Sequence, residues 1–205
     1  RETNIPGQAE SEHVVSYIDV LKGEVNIGEK VAIIGTGGIG FDVAEFLTHS
    51  GTSSALDIAK FLAEWGVDEH HQARGGIEGI EKETPPAQRQ ITLMQRSEGK
   101  VGKRLGKTTG WIHRTTLKDR KVEFLSEVCY ERIDEDGFHI THKGQPRKLD
   151  VDNIVICAGQ LPNRDLADSL SSLNARVHLI GGADVAAELD AKRAIRQGSE
   201  LAATL

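Results

Sequence analysis

The chain has 205 residues, 38% hydrophobic and 27% charged, with a formal charge of −6 and a pI near 5.8. That is the composition of a globular protein, enough for one good core or for one domain plus part of another. It excludes several classes: no apolar run approaches a bilayer-spanning helix, Arg1 to Asn4 lack the apolar core of a secretory signal, and the acidic total argues against general nucleic-acid binding.

Two cysteines, Cys129 and Cys157, are too few for a disulfide framework or a zinc site and too far apart for C-x-x-C, so a reducing cytoplasm is the expected compartment. The only methionine is Met94, so the chain reads as a piece of a longer one.

In chain order, residues 1–12 are polar with a turn at Ile5-Pro6-Gly7 and read as a connector, and Val14 to Lys22 reads as a short helix. Val31-Ala32-Ile33-Ile34 then runs into Gly35-Thr36-Gly37-Gly38-Ile39-Gly40, which is G-x-G-x-x-G in the required strand, turn and helix context. Ile39, Val43, Phe46 and Leu47 follow at the spacing of one buried helix face. Gly35 permits the tight turn, Gly37 the approach of a pyrophosphate, and Gly40 the packing of helix on strand; the free N–H groups of the helix start, around Thr36, Gly38 and Ile39, face the anion. A glycine-rich turn in some other α/β protein is the plain alternative.

Ile58, Phe61, Leu62 and Trp65 form one apolar helical stripe in need of a partner. From Gly66 to Gln88 the pattern is lost, which predicts a surface insertion within residues 51–90. His70 and His71 lie in it, but adjacent histidines rarely point at one metal, and no metal site is expected.

A second strand, Ile91 to Gln95, ends at the place where dinucleotide folds select their cofactor. A carboxylate there bonds the ribose hydroxyls of NAD, whereas arginine accommodates the 2′-phosphate of NADP. Gln95-Arg96 holds that place, with Lys100, Lys103 and Lys107 adding charge nearby, so NADP(H) is the expected cofactor; Glu98 becomes the selector if the strand ends two residues later. Between Arg96 and Lys121, nine basic residues face only Glu98 and Asp119, a local charge of +7 in an acidic chain. Such an island suits a small, highly charged anion or is a solvated basic face. Gly106-Lys107-Thr108 is not a P-loop, because Val101 stands where its first glycine belongs.

Thr108 or Thr109 caps a predicted helix to about Arg120, and three strand-like runs follow: Val122 to Tyr130, Phe138 to Lys143 and Lys148 to Cys157. Cys157 reads as a small buried core residue. The expected architecture is α/β: a Rossmann-like parallel sheet with helices on both faces plus a β-meander. Near the end, Val177 to Asp184 again resembles a strand entering a helix, here over Val185 to Ala203. Asp184 is then either an N-cap or a carboxylate beside a cofactor hydroxyl.

These residues carry a resemblance to the two-dinucleotide-binding-domain flavoproteins. Ile154 to Arg164, with Ala158 and Gly159, is similar to their strand ending in A-G-x-x-P-N, and Ile180 to Asp184, with Gly182, to their second flavin motif. More narrowly, Leu105 to Arg114, His178 to Asp184 and Glu188 to Ile195 resemble the C-terminal part of the bacterial NADPH-dependent 2,4-dienoyl-CoA reductases.

The resemblance implies an NADPH domain over residues 22–160, with residues 1–21 and 161–205 as trailing segments of a split FAD-binding domain. It implies that a barrel carrying FMN and a 4Fe-4S cluster, together with the acyl-CoA site, lies elsewhere in the parent protein. The part played here would be hydride delivery from NADPH to FAD, which needs positioned rings rather than an acid or base, so no catalytic side chain is expected. Lack of C-x-x-C sets the chain apart from reductases of thioredoxin-reductase type. Two readings stay open: a non-catalytic nucleotide-binding module, as in relatives such as trimethylamine dehydrogenase, and an NADH-dependent enoate or amine oxidoreductase of the same layout.

Overall fold

The computed structural model describes residues 3–170, 172, 176–187 and 191–205. The chain divides into two compact units, Thr3–Ala158 and one formed mainly by Gly159–Leu205.

In the larger unit, five strands make a parallel sheet: β1 (Val14–Ser16), β2 (Lys30–Ile34), β3 (Gln90–Met94), β4 (Glu123–Leu125) and β8 (Asn153–Ile156), in the spatial order β1-β8-β2-β3-β4. Their central members read as continuous apolar runs because both faces are covered. On one face pack α1 (Tyr17–Lys22), α2 (Gly38–Thr48) and α4 (Gly110–Asp119), which bury Val20, Phe41, Val43, Ala44, Leu47 and Leu117 against Val31, Ile33, Leu93 and Val155. The other face is taken by an antiparallel meander of β5 (Val128–Asp134), β6 (Gly137–His142) and β7 (Gln145–Leu149). Val128, Ile133, Phe138, Ile140 and Leu149 bury against Ala32, Ile34, Met94 and Ile154. The expected parallel sheet, flanking helices and meander are present, but the helices that pack on the sheet cover one face rather than both, because the meander takes the second face.

Several local expectations change. Val14 to Lys22 is a strand followed by a helix: Val14 to Ser16 pair with Ile154 to Ile156, and the Ser16 hydroxyl then caps α1 by accepting from the Ile18 N–H at 3.1 Å. Val122 to Tyr130 divides into β4 and β5, which belong to different sheets, and Lys148 to Cys157 divides likewise into β7 and β8. In each case one apolar run turns a corner between two cores, which alternation along the chain cannot reveal. Phe46 is 51% exposed because the buried arc of α2 runs through Gly40, Phe41, Ala44 and Leu47, and Phe46 lies round the helix from Ala44.

Helix α3 (Ile58–Trp65) does follow the predicted stripe, but buries none of its residues fully; Trp65 meets the Trp111 ring edge-on at 6.0 Å. Between α3 and β3 lies only a short 3-10 turn, Arg74–Gly76, in keeping with an insertion.

The two layers are also joined by a bidentate ion pair: Arg147 of β7 donates to both carboxylate oxygens of Glu123 on β4, at 2.7 and 2.8 Å. The guanidinium holds the Glu123 carboxyl below its ordinary value near 4.5, against partial burial, which raises it. Because the folded-state value is the lower one, the pair's contribution is present above that ordinary value and is lost as pH falls through the lowered one. Arg147→Ala is therefore expected to cost about 1 kcal/mol at pH 7, a figure discounted for solvent screening. Urea titrations at pH 7 and pH 3 check this, the difference between variant and wild type shrinking in acid.

Candidate dinucleotide site

In a parallel sheet the ligand crevice opens at the carboxyl ends of the strands where the chain reverses direction across the sheet. Here the connection from β2 leads outward to β3 and β4, while β8 and β1 lie on the other side of β2, so the reversal falls between β2 and β8. The residues leaving those two strands are Gly35 to Gly37 and Cys157 to Ala158.

This junction is tightly built. The Gly35 N–H donates to Met94 O at 2.9 Å, and the Cys157 N–H to Ile34 O at 2.8 Å. Gly35 has φ +112°, and a Cβ there would come within 2.8 Å of the Cys157 carbonyl. A Cβ on Gly40 would lie 1.9 Å from the carbonyl oxygen of Gly35, so α2 touches the turn backbone to backbone. At Gly37 and Gly38, by contrast, a Cβ would meet nothing within 4 Å.

That open space lies over the start of an eleven-residue helix whose N-cap, Gly37, offers no side-chain acceptor and whose first turn holds no acidic residue. Backbone N–H groups therefore face an uncrowded cradle, with Ile39 half-buried beside it. The arrangement fits the pyrophosphate of a dinucleotide.

Beside the cradle, at the end of β3, Gln95 is already engaged: the Thr36 hydroxyl donates to Gln95 Oε1, and Gln95 Nε2 donates to Ser97 O at 3.0 Å. Arg96 is exposed and makes no side-chain hydrogen bond or ion pair among the described residues. It lines an open depression of about 360 Å³ together with Glu98, Glu127, Cys129 and Lys143. Arg96 also lies near Tyr130, whose phenol burial pushes up to about 12 while the cation pulls the other way.

Lys103 and Lys107 are exposed in the following loop and do not line that depression. The loop has its own anchor: Val101 is buried, Leu105 packs on the same core, and Arg114 Nη1 donates to Gly102 O at 2.9 Å. Lys143 and Glu127 are the charged lining residues that sequence reasoning missed. Lys143 stands 47 positions beyond Arg96, at the meander turn where the predicted run from Phe138 ends.

Helix α2 is fixed from its far end. Arg120 donates to Glu45 O and Thr48 Oγ1, His113 Nδ1 sits 2.8 Å from Glu45 Oε1, and Arg89 donates to the carbonyls of Gly28, Leu47 and Ile27. Cys157 is buried, with its thiol pushed up to about 12 by burial, and Cys129 is exposed, its thiol raised by a hydrogen bond with Glu131. Among the described residues no group of three or more histidines, cysteines or acids could hold a metal ion, and no helix is long and apolar enough to cross a membrane.

The smaller unit holds the other proposed contacts. Ala158 closes the larger unit half-buried, and Gly159 opens the smaller one with φ +78°. Gly181–Ala183, including Gly182, is a single 3-10 turn, locked by Arg164 on the Ala183 and Asp184 carbonyls and by Arg193 on those of Gly181 and Val185. Asp184 does not open a helix at Val185: residues 185–187 are not helical, and the helix that follows the short α5 (Asp165–Leu170) is α6 (Ala191–Ala202) within the described residues. One Asp184 carboxylate oxygen instead accepts from Gln197 Nε2 at 3.1 Å. Glu188 to Asp190, part of the stretch that carried the resemblance, lie outside the described residues.

A metal reductase of Desulforamulus reducens is 25% identical over 170 residues, which are 83% of this chain and 24% of that protein. Among solved structures, a 2-naphthoyl-CoA reductase in complex with 2-naphthoyl-CoA superposes with a TM-score of 0.66 at 20% identity, over 97% of this chain and 24% of that one. A 6-hydroxypseudooxynicotine amine oxidase from Pseudomonas geniculata N1 gives 0.65 at 15% identity, over 98% and 25% respectively. At these identities the two structures share the fold. The chain spans about a quarter of the length of each of these three relatives. Residues 1–191 match the signature of an FAD- and NAD(P)-binding oxidoreductase family, and the chain belongs to it: the pyridine nucleotide-disulphide oxidoreductases.

Proposed function

We propose that residues 22–160 form the NADPH-binding, electron-entry part of a larger flavin and iron-sulfur oxidoreductase, and that the parent reduces 2,4-dienoyl-CoA in the degradation of unsaturated fatty acids. Residues 161–205, with the connector 1–21, are read as trailing segments of its FAD-binding domain. FMN, the 4Fe-4S cluster and the dienoyl-CoA site belong to the rest of the parent, in the cytoplasm. The observation that carries the NADP part of this reading is an unpaired Arg96 at the end of β3, beside a glycine cradle at the sheet's point of reversal. The dienoyl-CoA part is supported by the motif resemblance from Leu105 to Arg114 and from His178 to Asp184.

When bound, NADPH supplies a hydride and FAD accepts it. The chain's own share is binding and orientation. Gly35 and Gly40 hold the turn against the sheet, Gly37 and Gly38 leave room for the pyrophosphate, and the α2 N–H groups neutralise it. Arg96 supplies a planar, permanently charged fork for the 2′-phosphate. No side chain needs to exchange a proton for this step.

The testing measurement is calorimetric titration with NADPH and NADH at low salt, in wild type and Arg96→Ala. Wild type is expected to bind NADPH more tightly, and the variant to lose about 2 kcal/mol of NADPH affinity, typical of a charged hydrogen-bonded contact, with NADH unchanged. Tighter NADH binding in wild type would make Glu98 the selector and favour an NADH-dependent enoate or amine oxidoreductase. Binding without any flavin reduction in the complete protein would favour a non-catalytic module.

A further inference from the structure

The depression beside Arg96 is assembled from three segments distant in sequence. A ladder of backbone hydrogen bonds joins them: Gln95 N–H to Leu125 O at 2.9 Å, Val128 N–H to Gln95 O at 3.1 Å, Glu127 N–H to Ser97 O at 3.2 Å and Lys143 N–H to Glu127 O at 3.2 Å. Two of its members, Glu127 at φ +58° and Lys143 at φ +50°, are non-glycine residues in the left-handed region. Each such residue costs roughly 1–2 kcal/mol, and conformations of this kind gather at ligand sites.

Four charged side chains line the depression, Arg96 and Lys143 against Glu98 and Glu127. Among the described residues none of the four forms a side-chain hydrogen bond or ion pair, with each other or with a neighbour. Two cations turned to one open hollow without partners want an anion with more than one acceptor oxygen, and a phosphate monoester offers three. A ribose diol would engage a carboxylate and leave both cations unmatched.

We propose that Lys143, on the β6–β7 turn, is a specificity-determining residue that holds the 2′-phosphate of NADP jointly with Arg96. This rests on the dinucleotide reading above and deepens it by moving the second phosphate cation from the basic loop to the meander. Lys143 supplies a point charge where Arg96 supplies a fork, and the phosphate lies between them. Glu98 and Glu127 then disfavour other anions that do not satisfy both cations at once.

The test uses the full chain, titrated with NADPH, NADH and adenosine 2′-monophosphate, in wild type, Lys143→Asn, Lys143→Arg and Arg96→Ala. Asparagine tolerates the left-handed conformation, so Lys143→Asn removes the charge without adding backbone strain. The expected result is roughly a tenfold loss of affinity for NADPH and for adenosine 2′-monophosphate in Lys143→Asn, an unchanged NADH affinity, and recovery of most of the loss in Lys143→Arg. If Lys143→Asn leaves NADPH binding intact while Arg96→Ala loses it, the role of Lys143 is overturned and the NADPH reading stands. Equal loss for NADPH and NADH in Lys143→Asn marks a structural effect and likewise removes Lys143 from the selector. A wild-type chain that prefers NADH, or binds neither nucleotide, overturns both.

Discussion

Gly40→Ala is expected to abolish dinucleotide binding and to destabilise the larger unit by about 3 kcal/mol, the upper end of what overpacking ordinarily costs. The added Cβ would sit 1.9 Å from the Gly35 carbonyl oxygen and 2.9 Å from its carbonyl carbon. Neither neighbour is a flexible side chain that can step aside. Gly35 is itself wedged against the Cys157 carbonyl, and Leu93 lies 3.6 Å from the same Cβ, so α2 must lift away from the sheet. Lifting it moves the N–H groups from the cradle. Gly37→Ala is the contrasting variant: its φ of −78° and ψ of −174° suit alanine, and its Cβ meets open space. It should leave the urea midpoint within about 0.5 kcal/mol of wild type, as surface substitutions do, and weaken nucleotide binding by occupying the cradle. Urea denaturation followed by circular dichroism, paired with NADPH calorimetry, separates the two. A Gly40→Ala chain of wild-type stability that still binds would refute the backbone contact.

Phe41→Ala carries the second large effect, a loss of about 3–5 kcal/mol. The ring is fully buried, its centroid is 5.9 Å from that of Phe124, and it fills the space under the basic loop so closely that a Cβ on Gly102 would meet its tip at 2.6 Å. Truncation leaves a cavity bounded by α2, β4 and this loop. The loop's other attachments, Val101 and Leu105 in the same core and Arg114 on the Gly102 carbonyl, are then left without the ring they pack around. The urea midpoint should fall with the slope unchanged, and protease cleavage between Lys100 and Lys107 should become faster. An unaltered cleavage rate at lowered global stability would show that the loop does not depend on the ring.

The glycine turn was legible in the sequence because its information is local. Four apolar residues, a spaced set of glycines and a helical pattern lie within eighteen positions, and each glycine has a separate steric reason that the structure bears out at Gly35 and Gly40. The parallel sheet followed from the same strands. Less was legible where one run of sequence serves two layers. Val122 to Tyr130 carries no mark of the corner at Ser126-Glu127, since both halves are apolar and the left-handed residue there is a glutamate rather than glycine. Lys143 was invisible as a site residue for a related reason: its place beside Arg96 depends on how the meander folds back, and no spacing rule encodes that. Asp184 shows a different failure. The strand-then-helix pattern around it is not realised: Val177 to Ile180 form no strand, residues 185–187 are not helical, and Gln197 of α6 reaches back to the carboxylate.

Arg89 closes its guanidinium on three backbone carbonyls, those of Gly28, Leu47 and Ile27, at the edge where β2 begins and α2 ends. Asn153 Oδ1 takes the Gly28 N–H and Asp152 Oδ2 the Lys30 N–H at the same edge, both at 2.8 Å. At the opposite edge, where the strands end, the N–H groups of Gly35, Gln95 and Cys157 are paired as well, but Arg96 and Lys143 have no side-chain partner among the described residues. Permanence and adaptability are thereby assigned to opposite rims of one sheet. On the reading proposed above, substitution on the rim bearing Arg96 and Lys143 would change which nucleotide is preferred while the rim bearing Arg89 goes on holding the fold.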